Sequence, residues 1–178
     1  MAQTQRVAWA EGMFLRPQHF QQQTRYLEAQ AHQRALSAEP HFWGFRRLEI
    51  DQGALAQGKL ALLAAEGVLP DGTPFSLPQH APLPPAISFE EGAVGRLIHL
   101  ALPLERDGTE NVLFEDNPAS LARFQVTDAL LRDENAFAGE PAEVQLALPR
   151  LRLKSQRELD EGWIGLGVAR VVECRADR

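Results

Sequence analysis

Between Arg96 and Leu104, Ile98, Leu100, Leu102 and Leu104 alternate with His99, Ala101 and Pro103. A period of two places the first set on one face of an extended chain and the second on the other, so the segment reads as a half-buried β-strand. Five further segments carry strand signals: Gly44–Asp51, Lys59–Ala65, Ala122–Ala129, Glu143–Lys154 and Trp163–Arg175. In the fifth in chain order, Val144, Leu146 and Leu148 share one phase, while Leu151 and Leu153 take the other after Pro149. A phase change at a proline predicts a bulge or a sheet edge. Turn chemistry separates the strands. Pro70-Asp71-Gly72-Thr73-Pro74 combines a side-chain acceptor with a residue that accepts positive φ. Four prolines between Leu77 and Ala86 make an extended loop, and Asp107-Gly108 offers a hairpin turn between Leu104 and Val112. Short strands with this punctuation predict a mainly β fold, a β-sandwich spanning 44–175.

The first forty residues follow other rules. Pro17 is suited to the first turn of a helix, where its missing N–H would have no partner. No glycine or further proline intervenes before Pro40, so one α-helix is expected over 17–36. Its apolar stripe is thin: Phe20, Leu27, Ala31 and Ala35, with Thr24 in line and six glutamines between positions 18 and 33. Such a stripe suits a helix on a surface or against a second subunit. Ahead of it, Val7, Trp9, Met13, Phe14 and Leu15 crowd an arm, 1–16, that shows neither helix nor strand period. Trp, Met and Phe are side chains that anchor protein interfaces, and they serve equally to cover one end of their own domain. Both uses are open for Trp9, Met13, Phe14, Leu15 and Phe20.

Composition excludes several classes of function. The 178 residues suit one domain, and 44% hydrophobic with 24% charged content is ordinary for a globular chain. Net charge is −6, with six arginines against four acids in residues 1–50 and the acidic excess in the remainder. This balance disfavours nucleic acid as a partner. A lone cysteine, Cys174, permits no disulfide within the chain, suits a reducing compartment, and reads as a small half-buried residue beside Val171 and Val172. Neither a signal peptide nor an apolar run of membrane-spanning length is present, so no direct membrane insertion is expected.

No chemistry assembles either. His19, His32, His41, His80 and His99 lack ligand spacing, and His80 falls in the proline loop, where it is expected to be solvated. Glu90-Glu91 and Glu115-Asp116 are neighbours in loops, and Asp71 belongs to a turn. No serine lies in a G-x-S-x-G frame, and Gly165-Leu166-Gly167 marks close packing in a strand better than a phosphate cradle. No metal, cofactor or enzymatic activity is expected.

The run from Trp9 to Gln23, WAEGMFLRPQHFQQQ, resembles the opening signature of the TssK family of type VI secretion baseplate subunits. Gly44-Phe45 with Leu48, Ile50 and Asp51, the Gly67-to-Phe75 turn, Arg123-Phe124 and the Gly165-to-Val172 strand fall in the family's order. The resemblance implies a cytoplasmic structural adaptor, with this chain as the N-terminal shoulder and the helical neck and head lying outside it. It further implies a homotrimer that docks on the TssF–TssG wedge, and a head that reaches the TssJ–TssL–TssM membrane complex. On that basis Trp9, Met13, Phe14, Leu15, Pro17, His19 and Phe20 are the expected contact zone, with His19 a hydrogen-bonding residue of the first helical turn. A rival reading, by analogy with phage receptor-binding proteins, is a carbohydrate- or receptor-binding sandwich that uses Phe42, Trp43 or Trp163.

Overall fold

The structure, a computed structural model, describes residues 5–89, 93–133, 135 and 140–173. It separates into two compact units, one through Trp43 and one from Gly44 onward, and each is described by itself.

The first unit is the arm and helix α1, Pro17–Ala38. The expected helix runs two residues further than anticipated. None of its residues is fully buried. The stripe Phe20, Thr24, Leu27 and Ala31 lies exposed, while His19, Gln22, Tyr26, Ala29, His32 and Leu36 form the half-buried face. Ala35, the last residue of the expected stripe, is half-buried as well. On the covered side the Gln5 carbonyl accepts from Gln22 Nε2 at 2.6 Å, and Phe42 meets His32 edge-on at 5.5 Å.

The second unit begins with β1 (Gly44–Ile50), helix α2 (Gln52–Ala56), β2 (Lys59–Leu60), β3 (Leu62–Val68) and β4 (Pro74–Leu77). It continues through β5 (Ile87–Ser88), β6 (Leu97–Pro103), β7 (Val112–Leu113), β8 (Phe124–Leu131), β9 (Ala142–Pro149), β10 (Arg152–Ser155) and β11 (Trp163–Arg170). Two antiparallel three-stranded sheets, ordered β1-β3-β4 and β10-β6-β11, share one core. Leu62, Ala65, Phe75 and Leu77 come from the first, and Ile98, Leu100, Leu102, Leu153 and Leu166 from the second. The fold is mainly β with one principal N-terminal helix, as the alternation and punctuation predict.

Strand β6 departs from its half-buried expectation. Ala101 and Pro103, on the face opposite the core leucines, are also buried, and the Pro103 carbonyl receives a buried arginine described below. Short α2 was not anticipated; Asp51 caps it, its Oδ1 accepting from the N–H of Gly53 and Ala54 at 2.8 and 3.1 Å. The strand expected over Lys59–Ala65 is divided at Ala61 between β2 and β3, which belong to different sheets.

Two expectations about connections are corrected. The Asp107-Gly108 turn forms, and Gly108 has φ of 71°, but it closes no hairpin. β7 pairs with β8, and in parallel, while Asn111 ties the turn to itself through Arg106 N–H and carbonyl at 3.1 and 2.8 Å. Likewise, the phase change at Pro149 marks no bulge within one strand, although it does fall at a sheet edge, between the two end strands β9 and β10. It is a corner where the chain leaves β9, paired with β8, and enters β10, paired with β6. Arg150 holds that corner by donating to the carbonyls of Asn117, Ser120 and Ala122 at 2.8 to 3.1 Å. Burial, with Arg152 adding to it, draws the Arg150 guanidinium below its ordinary value, and Asp116 opposes that shift.

Candidate protein interface

The expected contact residues cluster at the N-terminus of α1. The Arg16 N–H donates to His19 Nδ1 at 3.0 Å, and the His19 N–H donates back to the Arg16 carbonyl at 3.0 Å. This reciprocal pair replaces the usual Ser, Thr or Asp cap and leaves His19 Nδ1 an acceptor. Pro17 occupies the first helical position. Upstream, Met13 N–H closes a turn on the Ala10 carbonyl, and Gly12 supplies φ of 76° there. The turn returns the arm to its own helix, so that the Trp9 ring sits 6.2 Å from both His19 and Phe20.

Folding back covers little. Trp9 remains 52% exposed, Phe14 82%, Leu15 52% and Phe20 55%, while Met13 and His19 are half-buried. Single exposed apolar side chains need no explanation; here Trp9 and Phe20 stand together beside a hydrogen-bonded turn, with Phe14 and Leu15 exposed in the same segment.

The other residues raised by the sequence have structural roles or none that converge. Asp71 does more than shape its turn: Oδ1 accepts from the Thr73 N–H at 3.0 Å, while Oδ2 receives Arg123 Nη2 at 2.7 Å. Arg123 is 6% exposed, and it also donates to the Pro103 carbonyl at 2.7 Å and to Thr73 Oγ1 at 2.6 Å. Sequence reasoning placed Arg123 in a motif without seeing this role; an arginine in an otherwise apolar segment is the only signal it leaves. His80 is exposed, as are Glu115 and Asp116. Glu90, Glu91 and Cys174 lie outside the described residues. Gly165 lies opposite Ala101 of β6, and a side chain there would come within 3.1 Å of the Leu100 carbonyl, so it serves close strand packing.

Of the aromatic residues of the rival sugar-binding reading, Trp43 is 41% exposed. Phe42 is half-buried against His32, and the face of Trp163 carries the Lys154 ammonium at 4.6 Å and the Arg152 guanidinium at 5.8 Å. Among the described residues, no group of three or more His, Cys, Asp or Glu is placed to hold a metal, and no helix is long and apolar enough to cross a membrane.

The chain is thus a β-rich body with an exposed apolar group on its N-terminal arm and helix. Comparison with known proteins gives its family. Residues 19–178 match the model of the family described as Bacterial Type VI secretion, VC_A0110, EvfL, ImpJ, VasE, and the chain belongs to this type VI secretion family. It is 43% identical over its whole length to the type VI secretion system baseplate component TssK1 of Pseudomonas aeruginosa, of which it spans 40%. A crystal structure of TssK superposes with a TM-score of 0.90 at 42% identity, covering 97% of this chain and 39% of that one. TssK within a cryo-electron microscopy structure of the TssK–TssF–TssG baseplate subcomplex superposes at 0.84 and 26% identity, covering 98% of this chain and 60% of that one.

Proposed function

We propose that this chain is the N-terminal shoulder of a type VI secretion baseplate adaptor, structural rather than catalytic, that docks on TssF and TssG through the arm and first turn of α1. The observation that carries the reading is the exposed Trp9, Phe14, Leu15 and Phe20 group, held on a chain whose full length aligns with a baseplate component. A relative observed in complex with TssF and TssG supports the choice of partner. In the same reading the chain works in the cytoplasm as part of a homotrimer, and it reaches the TssJ–TssL–TssM membrane complex only through neck and head regions outside this segment.

Phe14 and Leu15 make the test, because both are exposed and neither supports the β core. Leu15→Glu places a charge at the centre of the patch and is expected to weaken co-purification of TssF and TssG by roughly tenfold or more, with Phe14→Ala following in the same direction. Circular dichroism of both variants should match the parent chain. Undiminished co-purification by both would remove the patch from the interface.

A further inference from the structure

The hairpin made by β8 and β9 has a second uncovered surface, far in sequence from the arm. Its register pairs Leu131 with Ala142, Ala129 with Val144, Thr127 with Leu146 and Gln125 with Leu148. Paired residues share a face, so that face is apolar apart from Thr127 and Gln125. The alternate face carries Asp128, Glu143 and Gln145 together with Phe124, Val126, Leu130, Ala147 and Pro149, so the contrast between faces lies in β9, where Val144, Leu146 and Leu148 alternate with Glu143, Gln145 and Ala147. Alternation of this kind is the pattern of a strand covered on one side, yet Val144 is 37% and Leu146 36% exposed. At its inner end the apolar face continues into an open groove of about 650 Å³, lined by Pro82, Leu83, Pro85, Thr127, Leu148 and Leu151. Moreover, β9 ends its sheet: in the order β7-β8-β9 it has a neighbour on one side only. Eight residues of unpaired edge, without a lysine or a mid-strand proline, are what natural sheets avoid unless a partner takes them.

We propose that β9 accepts an added strand from a baseplate partner, one that alternates apolar with Lys or Arg residues. Its apolar side chains extend the Val144–Leu146–Leu148 row towards the groove, and its basic side chains lie beside Glu143 on the opposite face. Main-chain pairing supplies the attachment and the two faces set the register. Charge argues against a second copy of this chain as the occupant. The described hairpin residues include Asp128, Asp133, Glu140 and Glu143 against Arg132, and a second β9 brings another Glu143 and no cation. The identity of the partner rests on the baseplate reading above; the strand chemistry rests on the hairpin alone.

The test is amide hydrogen exchange on the chain, free and bound to TssF and TssG from the same bacterium, with binding measured in parallel. Exchange across 142–148 is expected to slow at least roughly tenfold in the complex. Leu146→Glu and Glu143→Lys should each weaken binding several-fold or more. Exchange on the parent chain decides the matter even if a variant misfolds. A complex that forms with unaltered exchange at 142–148 overturns the hairpin proposal and leaves the baseplate reading standing. Failure of the parent chain to bind either protein overturns that reading and the partner with it. Protection that grows when the chain alone is concentrated makes a second copy the occupant, and the proposal is wrong.

Discussion

Replacing Arg123 with methionine is expected to lower the melting temperature of this chain by roughly 10 °C, the largest loss from any single side chain outside the leucine core. The guanidinium ties three separate segments together: Asp71 and Thr73 in the β3–β4 turn, the Pro103 carbonyl at the end of β6, and its own position at the start of β8. Removing it leaves the Asp71 carboxylate and a buried carbonyl without their donor. Breaking one side of a buried ion pair costs about 3–5 kcal/mol, because the remaining charge stays desolvated. In a domain of this size each kcal/mol shifts the midpoint by about 2–4 °C. Asp71→Asn should cost less, since an amide still accepts from Thr73 and carries no charge, although it leaves the arginine's charge unmatched. The double variant Arg123→Met with Asp71→Asn should be more stable than the arginine variant alone, and thermal melts of the three read the coupling directly. Equal midpoints for parent and Arg123→Met would show that the pair contributes nothing net.

Gly67→Ala is expected to be comparably damaging, for a reason of backbone rather than charge. Strand β1 crosses β3 with an irregularity between Phe45 and Arg47, and there Gly67 faces Phe45 while Gly44 pairs with Val68. A methyl group at 67 would sit on the Gly44 carbonyl oxygen and 3.0 Å from the Phe45 Cα. Neither neighbour is a flexible side chain, so the methyl group can be admitted only by separating β1 from β3. Gly44 has φ of 142°, a backbone conformation side-chain-bearing residues avoid. Loss of the β1 edge also withdraws Phe45 from its edge-on contact with Phe75 at 5.7 Å. A destabilisation of about 3 kcal/mol or more, seen as a lower denaturation midpoint in urea, is the expected result. A neutral Gly67→Ala would mean the two strands are held far more loosely than their register implies.

These two residues mark the division between what could be read in the chain and what could not. The mainly β class, the helix opened by Pro17, the core role of Ile98, Leu100 and Leu102, and the tight turn at Asp71-Gly72 were all legible. Each depends on interactions between near neighbours, whether a period of two, a proline's fixed φ or a side chain reaching its own backbone. The crowding of Trp9, Phe14 and Leu15 was visible as composition, and the resemblance of the run around it led to the correct family. Pairing was not legible. Parallel β7 against β8, the passage from β9 to β10 across Pro149, and the outward turn of the Phe20–Leu27 stripe all depend on which distant segment arrives opposite. Alternation in β9 announced a covered face without revealing that Val144 and Leu146 stay exposed.

The amino-acid sequence by itself determined the local conformations and the set of side chains available for burial, since those follow from the φ and ψ preferences and the periodicity of adjacent residues. Tertiary structure alone decided which apolar faces found cover and which charges found partners. The bond from Arg123 to Asp71 spans 52 residues, and no local rule brings such groups within 3 Å of one another; only the packing of the β3–β4 turn, the end of β6 and the start of β8 against one another does so.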